Sequence, residues 1–169
     1  FFNFVIKNKF FLDLFVKLYI FLKKNNIKID IDNHFASYKE SFNNIEFYDS
    51  ETDFELFCLN NEKNDKRNIL SCFFIRLFKE GYLNSELIYD LINMIQNKLN
   101  ETIQDKNLTY YSIELTENLF ILIHKNFNKN NEKNKCIVEN IENIIKLNKE
   151  TCPGLLNKIK FKHMDIEFL

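Results

Sequence analysis

The sequence contains very few residues that break regular structure. Its 169 residues include only two glycines and one proline, and tryptophan is absent. Domains built from β-strands, alone or alternating with helices, need many more glycines and prolines for their turns. The scarcity therefore predicts an all-α fold, and a chain of this length can bury one continuous core.

The sequence also lacks an excess of one charge and a long apolar run. Its 23 Lys and Arg balance 24 Asp and Glu, giving a formal net charge of −1. Any RNA-binding role would therefore require a local basic patch. The apolar segment 10–22 is too short to span a bilayer and is interrupted by Asp13 and Lys17, so we expect no membrane partner. Abundant Asn, Lys, Ile and Phe are typical of an A/T-rich genome, either of a large DNA virus or of a protist.

Signatures of catalysis and metal binding are missing as well. The four cysteines stand far apart with no CxxC pair, which favours free thiols in a reducing, cytoplasmic compartment. The three histidines fall on three different predicted helices, and two glycines cannot build a nucleotide-binding loop. We therefore expect no enzyme activity, no cofactor and no metal. The one remaining nucleophile candidate is Cys152, which precedes Pro153 and is expected to be exposed.

The stretch 66–95 carries the strongest periodic signal. Apolar residues recur at helical spacing on both sides of a short break around Gly81. Two helices joined so closely are expected to lie antiparallel, as a hairpin with one side left for a neighbour. The apolar residues are Ile69, Leu70, Phe73, Phe74, Leu77 and Phe78, then Leu87, Ile88, Leu91, Ile92 and Ile95.

Helical patterns alternate with connectors along the rest of the chain. We predict a helix end in 1–9, a long loop with one helical turn over 49–65, and later helices over 113–127, 137–145 and 155–169. The second helix is predicted from the stripe Phe11, Leu14, Phe15, Leu18 and Leu22, and the third from Phe35, Tyr38, Phe42 and Ile45.

The spacing of these elements, roughly 40 residues per helix pair, is typical of HEAT-repeat α-solenoids. We therefore predict antiparallel helix pairs at about 1–25, 33–80, 83–128 and 133–169 within a single domain. The alternative is a compact helical bundle, which the same helices could also form.

Two basic clusters are candidates for a contact surface. The first is expected around the start of a helix over 68–79 and the second in the final helix. Solvated helix faces are the alternative interpretation of both clusters. Their members are Lys63, Lys66, Arg67, Arg76 and Lys79 in the first, and Lys158, Lys160, Lys162 and His163 in the second.

With these helices and clusters placed, the chain resembles the middle domain of eukaryotic translation initiation factor 4 gamma, a HEAT-repeat fold. Four segments carry the resemblance in order: 5–22, 66–79, 113–127 and 158–165. The second is similar to the family's basic stretch followed by Phe-Ile-Gly-Glu-Leu-Phe-Lys. The chain departs there, because Ile75 and Arg76 replace the family's Gly and Glu. The matching positions are Phe11, Phe15, Leu18, Leu22, Phe73, Leu77, Phe78, Lys79, Leu119, Phe120, Ile123, Lys125, Phe127 and Asp165.

The resemblance implies binding rather than catalysis. The family's middle domain grips both lobes of a DEAD-box RNA helicase of the initiation factor 4A type and holds it half-closed. It also implies that the first repeat and part of the second would precede Phe1. The alternatives are a middle-domain relative in mRNA decay, splicing or cap binding, and a direct RNA-binding helical module. The implied helicase contacts are Arg67, Arg76, Phe78 and Lys79, with Lys158 and Lys160 for a second contact or for RNA.

Overall fold

The computed structural model describes all residues, 1–169, and contains eight α-helices, four short 3-10 turns and no β-strand. The all-α prediction is confirmed. No helix combines the length and the apolar composition needed to cross a bilayer. The helices are α1 (Phe2–Lys7), α2 (Leu12–Lys24), α3 (Ile31–Glu40), α4 (Phe54–Lys79), α5 (Ser85–Thr102), α6 (Thr109–Ile123), α7 (Lys135–Lys146) and α8 (Asn157–Met164).

The predicted break between two helices at Gly81 is confirmed, and its geometry explains the glycine. Gly81 has a φ of +75°, in the left-handed region where a Cβ is unfavourable. Its N–H donates to the carbonyl of Phe78, and the N–H of Tyr82 donates to the carbonyl of Leu77. This pair of bonds is a Schellman motif that ends α4. Asn84 then caps α5 by accepting from the N–H of Glu86.

Helix α4 is much longer than the sequence indicates, since it begins at Phe54. The prediction of a long loop over 49–65 is therefore wrong from Phe54 onward. This first half lacks apolar periodicity because the residues it buries are polar ones, Asn60 and Asn64. Both side-chain amides donate to the hydroxyl of Tyr110 on α6, at 3.3 and 2.5 Å. The first half of α4 is therefore held on α6 by side-chain amides. An apolar periodicity would appear in the sequence only if the buried residues were apolar.

From α4 onward, the packing joins alternate helices as well as most neighbours in the chain. Helices α4, α6 and α8 contact one another in succession, while α5 contacts α6 and α7, and α7 contacts α8. Helices α1 and α2 pack on α4. This order is compatible with an α-solenoid.

Phenylalanine rings fill the interfaces between the first four helices. Phe74 of α4 is fully buried and lies at the centre of an aromatic cluster. Ring centroids of Phe35 and Tyr38 lie 5.0 and 5.2 Å from it, and those of Phe73 and Phe2 lie 5.8 and 6.1 Å away. Edge-to-face and tilted packing of this kind adds about 0.5–1.5 kcal/mol per pair beyond the burial of area.

The last five residues are not helical. Helix α8 ends at Met164, so the predicted helix over 155–169 is wrong beyond that residue. The tail 165–169 instead runs beside the segment that follows α6. The N–H of Lys125 donates to the carbonyl of Glu167 at 2.7 Å, and the N–H of Leu169 donates to the carbonyl of Phe127 at 2.8 Å. The backbone of the tail is hydrogen-bonded to a segment that is distant in the sequence. Local sequence patterns cannot predict such a contact.

Candidate partner-binding surface

Three of the predicted helicase contacts lie at the C-terminal end of α4. Lys79 is the last residue of the helix and is exposed, a position where the helix dipole favours a cation by about 0.3–1 kcal/mol. Arg76 is half-buried, and its Nε lies 3.5 Å from Oδ1 of Asp13. Phe78 is also half-buried and stacks on Phe127, with ring centroids 5.7 Å apart. Lys79 is therefore the most accessible of the three.

Arg67 does not belong to this surface. It lies in the middle of α4 with only 3% of its area exposed, so its assignment as an exposed helicase contact is corrected. The expected position of Lys63, Lys66 and Arg67 at a helix start is wrong too, because α4 begins at Phe54. The helix dipole is therefore not a factor for these cations, since its effect is confined to the terminal turns.

A polar network surrounds the guanidinium of Arg67. Its Nη2 donates to Oδ1 of Asn64, its Nη1 donates to the carbonyl of Ser41 at 3.4 Å, and its Nε–H has no acceptor. Burial is the main cause that lowers the pKa of Arg67, and the carboxylate of Glu114 acts in the opposite direction. Burial likewise raises the pKa of Glu114, whose Oε2 also lacks a partner. Neither charge is neutralised by an ion pair.

A second buried polar chain joins α3, α4 and α6. Ser71 donates its hydroxyl proton to Oδ1 of Asn118 at 2.6 Å, and the amide of Asn118 donates to the carbonyl of Glu114 at 2.9 Å. Because Ser71 has one proton, the hydroxyl of Tyr38, 2.5 Å from it, must be the donor of that pair. Burial raises the pKa of Tyr38 above its ordinary value. This series of hydrogen bonds fixes how α3, α4 and α6 are rotated relative to one another, and it contributes no exposed group.

The second basic cluster is divided between two roles. Lys158 and Lys162 flank Glu117 of α6, with Nζ–Oε distances of 3.5 and 2.8 Å. Lys160 instead donates to the carbonyl of Leu147 at 2.9 Å and is half-buried. Lys158 keeps 61% of its side chain exposed. Of the two residues predicted for a second contact, Lys158 is thus accessible, while Lys160 holds the end of α7.

The apolar stripe predicted for α2 lies mostly on the surface of the molecule. The predicted stripe is expected to face the core, yet the buried residues of α2 are Leu12, Val16 and Tyr19. Most of the predicted stripe faces solvent instead, and Phe15 and Leu22 are half-buried. The exposed stripe, named by that term below, consists of Phe11 at 58% exposure, Leu14 at 61%, Leu18 at 39% and Phe21 at 61%.

The spacing of the exposed stripe has a recognisable meaning. Its members follow one another at intervals of three, four and three residues, the a/d pattern by which one helix packs against another. Helix α2 is therefore apolar on two opposite sides. A periodicity argument cannot decide which of two apolar sides is buried, but the separate i, i+4, i+7 pattern of Leu12, Val16 and Tyr19 was visible. Asp13, beside Leu14, brings Arg76 to the edge of the exposed stripe.

The cysteine and histidine positions give no reactive constellation. The expectation that Cys152 is exposed is wrong, because it is 3% exposed and its Sγ lies 3.4 Å from Nε2 of Gln104. No histidine hydrogen-bonds to it. His34 and His124 stack on Phe rings, and His163 is buried. No group of three or more His, Cys, Asp or Glu side chains is arranged to hold a metal ion.

No protein-family model matches the chain, and comparison with curated proteins and with solved structures gives no match either. The likeness to the initiation factor middle domain therefore rests on the four segments named above.

Proposed function

We propose that the chain is a cytoplasmic scaffold of the initiation factor 4 gamma middle-domain type, built from HEAT repeats, that binds a DEAD-box RNA helicase of the initiation factor 4A type. The observation that supports protein binding is the exposed stripe on α2. Large contiguous apolar patches on a protein surface mark interaction sites. The packing of α4, α6 and α8 in succession, with α5 and α7 beside them, supports the repeat architecture. The identity of the partner comes from the resemblance of the four segments.

The charges around the exposed stripe indicate what kind of partner surface can bind there. Residues 1–29 contain six lysines and a single acid, Asp13, and Asp13 already pairs with Arg76. A second copy of α2 would bring lysines against lysines, which is unfavourable. The complementary surface is an apolar ridge with acidic residues along its edges. Arg76 and Lys79 extend the basic edge along the end of α4, and Lys158 is retained as a second contact.

A pulldown against the helicase tests the proposal. The double variant Leu14→Asp with Phe21→Asp should weaken helicase retention at least about tenfold, since burying each introduced carboxylate without a partner costs more than about 1.4 kcal/mol. Both residues are largely exposed, so the stability of the free chain should stay within about 0.5 kcal/mol. The matched control is Phe54→Asp at the first residue of α4, where Phe54 is 65% exposed and is not among the proposed contacts.

A charge-reversal series tests the contribution of α4. Lys79→Glu, alone or with Phe78→Ala, should weaken retention, whereas Lys149→Glu in an exposed turn should not. Circular dichroism checks that each variant remains helical. Failure of the wild-type chain to retain the helicase, with or without an ATP analogue, contradicts the partner assignment. Equal retention by all variants places the contact elsewhere. Tight RNA binding that falls steeply with salt, without helicase, would favour the direct RNA-binding alternative.

A further inference from the structure

A cationic pocket lies between α1, α3 and α4, apart from the exposed stripe. Its volume is about 360 Å³, within the range of small-molecule sites. Three cations line it, Lys63, Lys66 and Arg67, and no carboxylate does. The charges of the whole chain nearly balance, whereas every charged residue that lines this concave site is a cation.

The cations of this pocket are poorly neutralised by the protein. Arg67 is buried without a carboxylate in contact, and its Nε–H has no acceptor. A guanidinium offers five N–H donors, and leaving a buried charge unpaired is costly. Lys66 forms no ion pair, and Lys63 pairs only with the exposed carboxylate of Glu46 at 3.3 Å. An anion in the pocket would supply the missing counter-charge.

Three polar side chains of the remaining wall have no hydrogen-bond partner inside the chain. Ser37, His34 and Asn44 line the pocket, and their side chains take no part in the hydrogen bonds of the fold. The ring of His34 stacks on Phe2, with centroids 4.0 Å apart. Such groups suit the hydroxyls or the planar ring of an organic ligand, and the volume exceeds what one inorganic anion needs.

We propose that this pocket binds a small phosphate monoester, of the sugar phosphate or nucleoside monophosphate class, with the phosphate held by Lys63, Lys66 and Arg67. Because Lys63 already pairs with Glu46, the net charge of about +2 that remains matches the roughly −1.5 to −2 charge of a monoester at neutral pH. Arginine adds the planar donor pair that phosphate oxygens accept. A nucleic-acid strand fits less well, because beyond Lys63 and Lys66 the adjoining depression is lined by Lys7 and Lys9 against Glu62 and Asp65, so these charges balance and do not attract the next phosphate.

The test is a titration of the full chain with adenosine 5′-monophosphate, followed by amide chemical shifts and calorimetry. We expect saturable binding with a Kd of about 1 mM or tighter, shifts centred on Ser37, Ser41 and Lys66, and displacement by inorganic phosphate. Lys66→Gln should weaken binding about tenfold, whereas Lys149→Gln, a matched exposed lysine outside the pocket, should leave it unchanged. Because Arg67 is buried, Arg67→Lys is tested only after its circular dichroism shows an intact fold, and it should also weaken binding.

Three results would overturn the assignment. One is the absence of saturable shifts with both adenosine 5′-monophosphate and inorganic phosphate. Another is equal weakening by Lys66→Gln and Lys149→Gln, which would indicate attraction to charge in general. The third is tighter binding of an oligouridylate at the same amides without displacement by the mononucleotide, which would assign the pocket to a nucleic-acid strand.

Discussion

Gly154 allows a quantitative test of how closely the α7–α8 turn docks on the end of α5. The glycine is buried, and its N–H donates to the carbonyl of Ile103 at 2.9 Å. A Cβ added there would lie 2.5 Å from the carbonyl oxygen of Asp105, 2.9 Å from that of Thr102 and 3.0 Å from that of Ile103. All three are backbone atoms, so no flexible side chain can move aside. Gly154→Ala must therefore push the turn away from α5.

The expected cost is the sum of two effects. Overpacking of a well-packed site costs about 1–3 kcal/mol, and the loss of the Gly154–Ile103 hydrogen bond costs about 1 kcal/mol more. The free energy of unfolding should therefore fall by about 2–4 kcal/mol, and Tm by about 4–16 °C for a domain of this size. Urea unfolding followed by circular dichroism at 222 nm, the standard helix band, measures the first quantity, and calorimetry measures the second.

Gly81 supplies the comparison. Its φ is +75° but nothing lies within 4 Å of an added Cβ, so Gly81→Ala should cost only the left-handed penalty of about 1–2 kcal/mol. Gly81→Asn should recover part of that loss, because Asn tolerates this conformation. The steric reasoning is refuted if Gly154→Ala proves less destabilising than Gly81→Ala. It is also refuted if Gly154→Ala leaves the amide shifts of Thr102, Ile103 and Asp105 unchanged.

Two further predictions concern the core. Phe74→Ala should lower the free energy of unfolding by about 3–5 kcal/mol, because it empties the centre of the aromatic cluster. Phe161→Ala, on the exposed side of α8, should change that free energy by less than about 0.5 kcal/mol. Equal effects of the two variants in urea unfolding would contradict this assignment of the core. Burial lowers the pKa of His163 below its ordinary 6.5, so the unfolded chain binds a proton that the folded chain does not, and stability should decline as pH falls through about 6.5 toward the lowered value. His163→Gln should remove that part of the decline between about pH 7.5 and 5.5 in parallel urea titrations, and an unaltered pH dependence would show that another group is responsible.

A helix could be predicted from the local sequence wherever an apolar periodicity marked its buried side. The pair α4 and α5 is the clearest case, since Gly81 punctuates two strong stripes and satisfies a Schellman motif that only a residue tolerant of positive φ can complete. The first half of α4 was missed because it is docked by Asn60 and Asn64 through Tyr110, a long-range amide contact with no periodic signature.

The candidate site was harder to predict than the fold, because accessibility is a tertiary property. Arg67 looks like a surface cation by composition, since arginine is rarely fully buried, and only the packing of α3 and α6 on α4 encloses it. Helix α2 carries apolar residues on two sides, and the choice of Leu12 and Val16 for the core depends on α4. Lys79 is exposed, as expected for a contact residue, because it is the last residue of α4.

The tail at 165–169 connects two parts of the molecule that are distant in sequence. The amide of Leu169 holds the carbonyl of Phe127, and Phe127 in turn covers one face of Phe78. Removing these five residues would free the backbone of Phe127, whose ring stacks on Phe78, and would leave the N–H of Lys125 without its acceptor. A partner that stacks on this face of Phe78 must therefore displace Phe127, whose backbone carbonyl is hydrogen-bonded by the tail.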